Sequence, residues 1–272
     1  RASRDSRGPC VPRAARAVHP ESRGPCDSRP AGISPQGNID LREFASGSGR
    51  GGGLSGVAGI VARQPPVRVY CFGMKTLNPS PEAVAEAAAL LRRGGLAVFP
   101  TETFYGLGCD PRRADAVARL FAFKGRDAGR ALPLVAGSRA QVELVAPTWE
   151  RFELAARLAD LFWPGPLSLV VPGAETLADG VRAADGTVAV RVSPHPVAAG
   201  LAAALGHPIV ATSANRSGAA ACRYVAEALA SLGEGADGVA LDGGATVGGL
   251  PSTLVDGRAD RVVVLRAGTV NE

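Results

Sequence analysis

From Met74 onward the sequence alternates between two periodicities, and that alternation decides the class of fold. Short apolar runs at 96–99, 132–136, 167–171, 187–192, 208–212, 238–241, 252–256 and 261–266 read as buried strands. Between them, apolar residues recur at helical spacing. The predicted helices carry Val84, Ala87, Leu90 and Leu91; Val117, Leu120 and Phe121 within 113–123; Phe152, Ala155, Leu158 and Phe162; and then cover 196–205 and 223–232. Punctuation agrees with this reading. Ser80-Pro81 is a hydroxyl cap followed by proline at the first helical position, and Arg92, Arg93 and Gly94 close the same helix. Thr148 is read as the cap of the helix bearing Phe152. The pattern predicts an α/β fold, a twisted sheet with flanking helices. The polar Asp256–Asp260 turn joins the last two strands as a hairpin, which makes the sheet mixed.

Residues 1–73 show no such pattern. They hold 11 arginines against 5 acids, whereas 74–272 hold 19 basic and 20 acidic residues, so the overall charge of +5 belongs to the first quarter of the chain. Ser-Arg-Gly-Pro-Cys occurs at 6–10 and again at 22–26, and the stretch is rich in glycine. A composition of this kind buries too little apolar surface to offset its ordering entropy. Three readings stay open: sequence upstream of a start at Met74, the only methionine; a disordered basic tail; or an organellar transit peptide. The sequence has no run of 18 apolar residues, and five cysteines are too few for a disulfide scaffold, so a reducing, cytoplasmic setting without a membrane span is expected.

The chain contains no phosphate-binding G-x-x-x-x-G-K-[ST] loop, no G-x-G-x-x-G after the first strand, no C-x-x-C and no H-E-x-x-H. His19, His195 and His207 are too scattered for a metal site, and the last two adjoin prolines at element boundaries, where a structural role is expected. What remains is polar chemistry at strand ends, where open α/β sheets hold ligands. Pro100–Gly108 is dense in hydroxyls and glycines, Lys124 and Arg126 follow a helix, and Thr212-Ser213-Ala214-Asn215 follows an apolar strand. Each could be a cap or a turn, but together they point to a nucleotide site.

These stretches resemble the YrdC-like family of threonylcarbamoyl-AMP synthases. The matching segments are PTETFYGLG (100–108), FKGR (123–126), FWPGPLSLVV (162–171), TVAVRV (187–192), ATSANRSG (211–218), DGG (242–244) and GGLPSTLVD (248–256), in the family's order. The resemblance implies a twisted mixed α/β sheet with a concave ligand-holding face, in the single-domain form of the family. It implies that L-threonine, bicarbonate and ATP give threonylcarbamoyl-AMP and pyrophosphate, with Mg2+ accompanying ATP. The product would pass to a downstream tRNA threonylcarbamoyltransferase complex, with weak RNA binding a further expectation. Lys124 and Arg126 match the K-x-R motif that holds phosphates and serves catalysis. Thr101, Arg191 and Ser252 match the threonine contacts, Arg191 as the clamp on the carboxylate. Thr187, Ser213, Asn215 and Arg266 join Lys124 and Arg126 as ATP contacts.

The sequence departs from the family pattern in three places. Asp127 stands where proline is usual after K-x-R, with two extra residues before Pro133-Leu134. The loop after Asn215 is shortened, with Ser217 a candidate for a further ATP contact. Gly137 lies near the place of a family histidine. Two rivals bear on the same residues. A carbamoyl-adenylate-forming module using carbamoyl phosphate normally sits in much larger chains with acylphosphatase and zinc-finger parts. An RNA-binding or ribosome-assembly factor calls for a basic stripe with interleaved aromatics, which the near-neutral 74–272 region argues against.

Overall fold

The computed structural model describes residues 73–270 other than 128, 234 and 236; the readings of 1–72 lie outside the described residues. The chain runs β1 (Lys75–Leu77), α1 (Pro81–Arg92), β2 (Leu96–Pro100), β3 (Tyr105–Gly108), α2 (Ala114–Lys124), β4 (Leu134–Ala136) and α3 (Arg139–Glu143). It continues through α4 (Glu153–Phe162), β5 (Leu167–Pro172), β6 (Thr187–Val192), α5 (Pro196–Leu205), β7 (Ile209–Val210), β8 (Thr212–Ser213), α6 (Val225–Leu232), β9 (Gly238–Leu241), β10 (Thr253–Asp256) and β11 (Val264–Arg266).

The fold is mixed α/β, as the alternation predicts, with the strands in two ladders. One has the order β1-β9-β2-β3-β8 and the other β11-β10-β5-β6-β4-β7. Each contains parallel and antiparallel pairs. Alternation within the strands sorts chemistry from packing. Val188, Val190 and Val192 of β6 enter the core, as do Leu167, Leu169 and Val171 of β5. The residues between them, Ala189, Arg191 and Ser168, face the other way and line a cavity. Each fully buried leucine here contributes roughly 1.5–3 kcal/mol, so a slip of one residue in either strand is strongly disfavoured. A second cluster packs α1 and α5 over β2 and β9 through Ala87, Leu91, Phe99, Leu201 and Val239.

Several local expectations hold. Ser80 caps α1, its hydroxyl accepting from the Ala83 amide at 3.2 Å. The last two strands form the predicted antiparallel hairpin. Others need correction. Thr148 does not cap α4: its side chain makes no capping bond, and it leads into a short 3-10 turn, Trp149–Arg151, while α4 starts at Glu153 with Phe152 at its N-cap. Trp149 is buried and its ring lies 5.3 Å from that of Trp163, the C-cap residue of α4, so the turn packs against the far end of the helix. The strand predicted at 208–212 is two short strands in different ladders, β7 against β4 and β8 against β3. The Val210 amide donates to the Cys109 carbonyl, and the Ala211 amide to that of Pro133, where the chain crosses over. Part of the glycine-rich 100–108 segment is itself a strand, β3. Gly108 is required there because a Cβ would lie 2.2 Å from the Val210 carbonyl oxygen.

Candidate functional site

Both ladders contribute to one cavity of about 650 Å3. Its wall includes Thr101 and Thr103–Gly106, Arg126 and Arg130, Ser168, Ala189 and Arg191, Thr212 and Ser213, and Ser252, Leu254 and Arg266. Four arginines line it and, among the described residues, no carboxylate does. Such a lining fits a polyanion.

The local folding of each segment aims these cations. Helix α2 ends in a Schellman motif: Gly125 adopts φ 63°, its amide donates to the Ala122 carbonyl, and the Arg126 amide donates to that of Phe121. The reversal separates the two cations of FKGR. Arg126 turns into the cavity, where Nη1 donates to Thr212 Oγ1 at 3.2 Å and Nη2 donates to the carbonyls of Arg130 and Ala131 at 3.3 and 3.4 Å. Its buried Nε has no partner among the described residues. Lys124 stays on the helix, buried, and is not part of the lining. Its Nζ donates to the Ser213 carbonyl, to Ser213 Oγ at 3.3 Å, and to Asn215 O and Oδ1 at 2.8 and 3.1 Å. Burial and the nearby Arg126 charge push its ammonium down to about 8.

The opposite ladder supplies the other two. Arg266 is aimed by a bulge: Leu254 pairs with Arg266 but Val255 pairs with Val264, so Leu265 is unopposed. The irregularity puts Val264 on an apolar face and Arg266 in the cavity. Arg266 Nη2 donates to Ser252 O and Oγ at 2.7 and 3.0 Å, and Ser252 Oγ lies 3.0 Å from Ser168 Oγ. Arg191 projects from β6, and its Nε donates to Glu102 Oε1 at 2.7 Å. The other Glu102 oxygen accepts from Ser193 Oγ at 2.5 Å. Burial alone would raise the Glu102 carboxyl, but the Arg191 charge and the Ser193 hydroxyl hold it below the usual range. Arg126 is lowered from its ordinary value by burial and by Arg130 and Arg266, and Arg266 is lowered by burial and by Arg191.

Of the residues named from sequence, Thr101, Arg126, Arg191, Ser213, Ser252 and Arg266 meet in the lining. Lys124 and Asn215 sit behind it, bonded to each other. Thr187 shares the Arg191 face of β6 but lies outside the lining, its hydroxyl donating to Asp185 Oδ1 at 2.6 Å. The Thr101 hydroxyl is occupied in its own turn, donating to the Phe104 carbonyl at 2.7 Å. Ser217 is exposed and outside the lining. The three departures have local causes. Asp127 Oδ1 accepts from the Gly129 amide at 3.1 Å, an Asx turn that carries the chain to Arg130 in the wall. The shortened loop is held by Asn215 Nδ2 on the Ala219 carbonyl at 2.5 Å. At Gly137 any side chain would meet the Ala199 carbonyl of α5, 2.7 Å from a Cβ. His195 caps α5, accepting from the Val197 amide at 3.3 Å. His207 lies 3.3 Å from Asp110.

Glu102, Arg130 and Ser168 were missed from sequence. Glu102 had a signal: an acid inside a hydroxyl-rich turn that follows a buried strand. Arg130 had none, because its place depends on the two-residue insertion.

The family model described as telomere recombination, Sua5/YciO/YrdC, matches residues 89–268. A threonylcarbamoyl-AMP synthase of Halorhodospira halophila is 44% identical over 182 residues, covering 66% of this chain and 92% of that protein. The enzyme of the same name from Vibrio cholerae is 38% identical over 190 residues, covering 69% of this chain and 98% of that protein. Among solved structures, Pyrococcus abyssi Sua5 complexed with L-threonine superposes with a TM-score of 0.65 at 36% identity, over 72% of this chain and 57% of that one. Escherichia coli YciO, at 23% identity and a TM-score of 0.61 over 73% of this chain and 96% of that one, shares the fold. Among the described residues no helix is long and apolar enough to cross a membrane. On the match over 89–268 and the identity to these relatives, the chain belongs to the Sua5/YciO/YrdC family.

Proposed function

We infer that the chain is an L-threonylcarbamoyladenylate synthase, a nucleotidyltransferase that converts L-threonine, bicarbonate and ATP into threonylcarbamoyl-AMP and pyrophosphate. The observation that carries this reading is the make-up of the cavity wall. One arginine is buttressed by a carboxylate, and three more arginines have no acid among their hydrogen-bond partners in the described residues. The first suits a single carboxylate, and the others suit a polyphosphate.

Threonine's amine takes up bicarbonate with loss of water to give a carbamate. A carbamate oxygen then attacks the α-phosphorus of ATP and pyrophosphate leaves. The carbamate is short-lived, so it must form beside its electrophile, and holding both together can supply roughly 7–11 kcal/mol of the barrier. Arg191 would hold the threonine carboxylate, with Ser252 beside it. Arg126 and Arg266 would face the phosphates, where charge accumulates as pyrophosphate departs. Lys124 would act one step back, holding Ser213 and Asn215 in place. Mg2+ accompanying ATP would supply positive charge that offsets the phosphates. With no carboxylate in the described wall, its ligands would be phosphate oxygens, water and hydroxyls. The product is a reactive mixed anhydride, which a downstream tRNA threonylcarbamoyltransferase complex would consume.

The test follows pyrophosphate while each substrate is omitted in turn. Release should require threonine and bicarbonate together. Release without threonine, or equal release with carbamoyl phosphate in place of bicarbonate, would overturn the assignment.

A further inference from the structure

Glu102 is not part of the cavity lining, yet it holds one of the lining arginines, Arg191, and determines what that arginine offers. Its two carboxylate oxygens are both committed, one accepting from Arg191 Nε at 2.7 Å and the other from Ser193 Oγ at 2.5 Å. Ser193 is fixed in turn, its Oγ accepting from the His195 amide at 3.2 Å. The backbone carrying Glu102 is clipped from both sides, since the Thr101 amide and hydroxyl both donate to the Phe104 carbonyl, at 3.2 and 2.7 Å. The Arg191 and Glu102 side chains are only 7% and 11% exposed. The pair is therefore a rigid unit joining the 101–104 turn to β6, and water screens it little.

A guanidinium can grip a carboxylate in two ways, side-on through Nε and one Nη, or end-on through both Nη atoms. Here Nε is taken. Among the described residues Nη1 and Nη2 of Arg191 make no hydrogen bond, and Arg191 lines the cavity. We propose that Glu102 is a positioning residue for the amino-acid substrate: by occupying Arg191 Nε it turns the guanidinium so that a substrate carboxylate is received end-on, across Nη1 and Nη2. The inference rests on the reading that Arg191 receives the threonine carboxylate. It adds a consequence for selectivity. Glu102 already balances the Arg191 charge, so this arginine recognises a planar carboxylate by shape and direction, whereas the arginines without an acid partner attract phosphate by charge.

Steady-state kinetics on Glu102→Ala, Glu102→Gln, Ser193→Ala and Arg191→Ala, with melting temperatures alongside, test the proposal. Glu102→Ala should raise the threonine KM at least about tenfold, the loss of a charge-assisted hydrogen bond, while the ATP KM stays within about twofold. Glu102→Gln should recover most of that loss, because its amide oxygen still accepts from Arg191 Nε. Ser193→Ala frees one Glu102 oxygen and should raise the threonine KM by about two- to fivefold, which keeps a readout if Glu102→Ala does not fold. An unchanged threonine KM in Glu102→Ala overturns the proposal. So does a parallel rise in both KM values with a lowered melting temperature and no recovery in Glu102→Gln, which would mark a merely structural pair. Arg191→Ala separates the two levels. If it raises the threonine KM while the Glu102 and Ser193 variants do not, only the positioning role fails. If Arg191→Ala leaves the threonine KM unchanged, the carboxylate reading fails and the positioning role goes with it.

Discussion

Arg191 meets a carboxylate in the protein, whereas Arg126, Arg266 and the neighbouring Lys124 meet only carbonyls, hydroxyls and one amide oxygen. Both arrangements carry positive charge, the first buried and the second grading from buried Lys124 through half-buried Arg126 to exposed Arg266, and their electrostatics run in opposite directions. In the first, charge and counter-charge stabilise each other, and Glu102 is held below its ordinary range. In the second, burial and then neighbouring cations lower each group: Arg126 feels Arg130 and Arg266, Lys124 feels Arg126, and Arg266 feels Arg191 itself. Uncompensated buried charge costs folding free energy that an incoming polyanion can offset. A compensated arginine gives up that attraction in exchange for a fixed direction. One region is therefore built for geometry and the other for charge, and substitutions should separate them.

The largest separation should come from exchanging one arginine at a time. Arg191→Lys keeps a charge but loses the planar fork, and should weaken threonine by about 10- to 150-fold, corresponding to roughly 1.5–3 kcal/mol, while ATP binding measured without threonine barely changes. Arg126→Met should do the reverse by a similar factor. Calorimetric titration of each ligand into each variant reads this crossed pattern, and a parallel loss of both ligands in either variant would merge the two regions into one.

Next in size is Lys124→Met, which strips a shared donor from the Ser213 and Asn215 oxygens. Leaving the buried Asn215 acceptors unpaired costs about 1–3 kcal/mol, so denaturant unfolding should shift by that amount. ATP turnover should fall with it, and threonine affinity should stay close to the native value.

These expectations were only partly legible in the sequence, and the division follows physical lines. Local signals carried through: Ser80-Pro81 started α1, Arg92 to Gly94 closed it, and the apolar run at 187–192 became β6. Non-local arrangements did not. The apolar run at 208–212 reads as one strand because periodicity cannot report that its two halves pair with different ladders. The bulge aiming Arg266 exists only once β10 and β11 are paired. The family motif identified Lys124 as a cation, but only the Schellman reversal shows that it turns away from the cavity while Arg126 turns in. Glu102 went unassigned because its partners, Arg191 and Ser193, lie far along the chain.

A smaller effect should follow pH. Lys124 titrates near 8 in the folded protein, below the ordinary lysine value, so its charge is present below about pH 8 and is lost as pH rises through that value. ATP affinity should therefore fall by about two- to fivefold between pH 7.5 and 9, and Lys124→Met should abolish that dependence. Glu102 behaves differently: its pKa is depressed, so the stability it contributes is present above the ordinary carboxylate range and is lost only as pH falls through its lowered value. An ATP affinity that is flat across pH 8 in the native protein would remove Lys124 from the charged region.

The smallest expected effect is that of salt. Raising ionic strength from 0.05 to 0.5 M should weaken ATP more than threonine, by about two- to threefold more, because the phosphate-facing cations act over distance and the Arg191–Glu102 pair acts by contact. Equal salt sensitivity would mean that both ligands are attracted by the same field.

A crystal structure with L-threonine and a non-hydrolysable ATP analogue bound tests the two-region account most directly. The account predicts the threonine carboxylate across Nη1 and Nη2 of Arg191, with Glu102 still on Nε, and the phosphates against Arg126 and Arg266. Phosphate oxygens on Arg191, or a threonine carboxylate on Arg126, would contradict it.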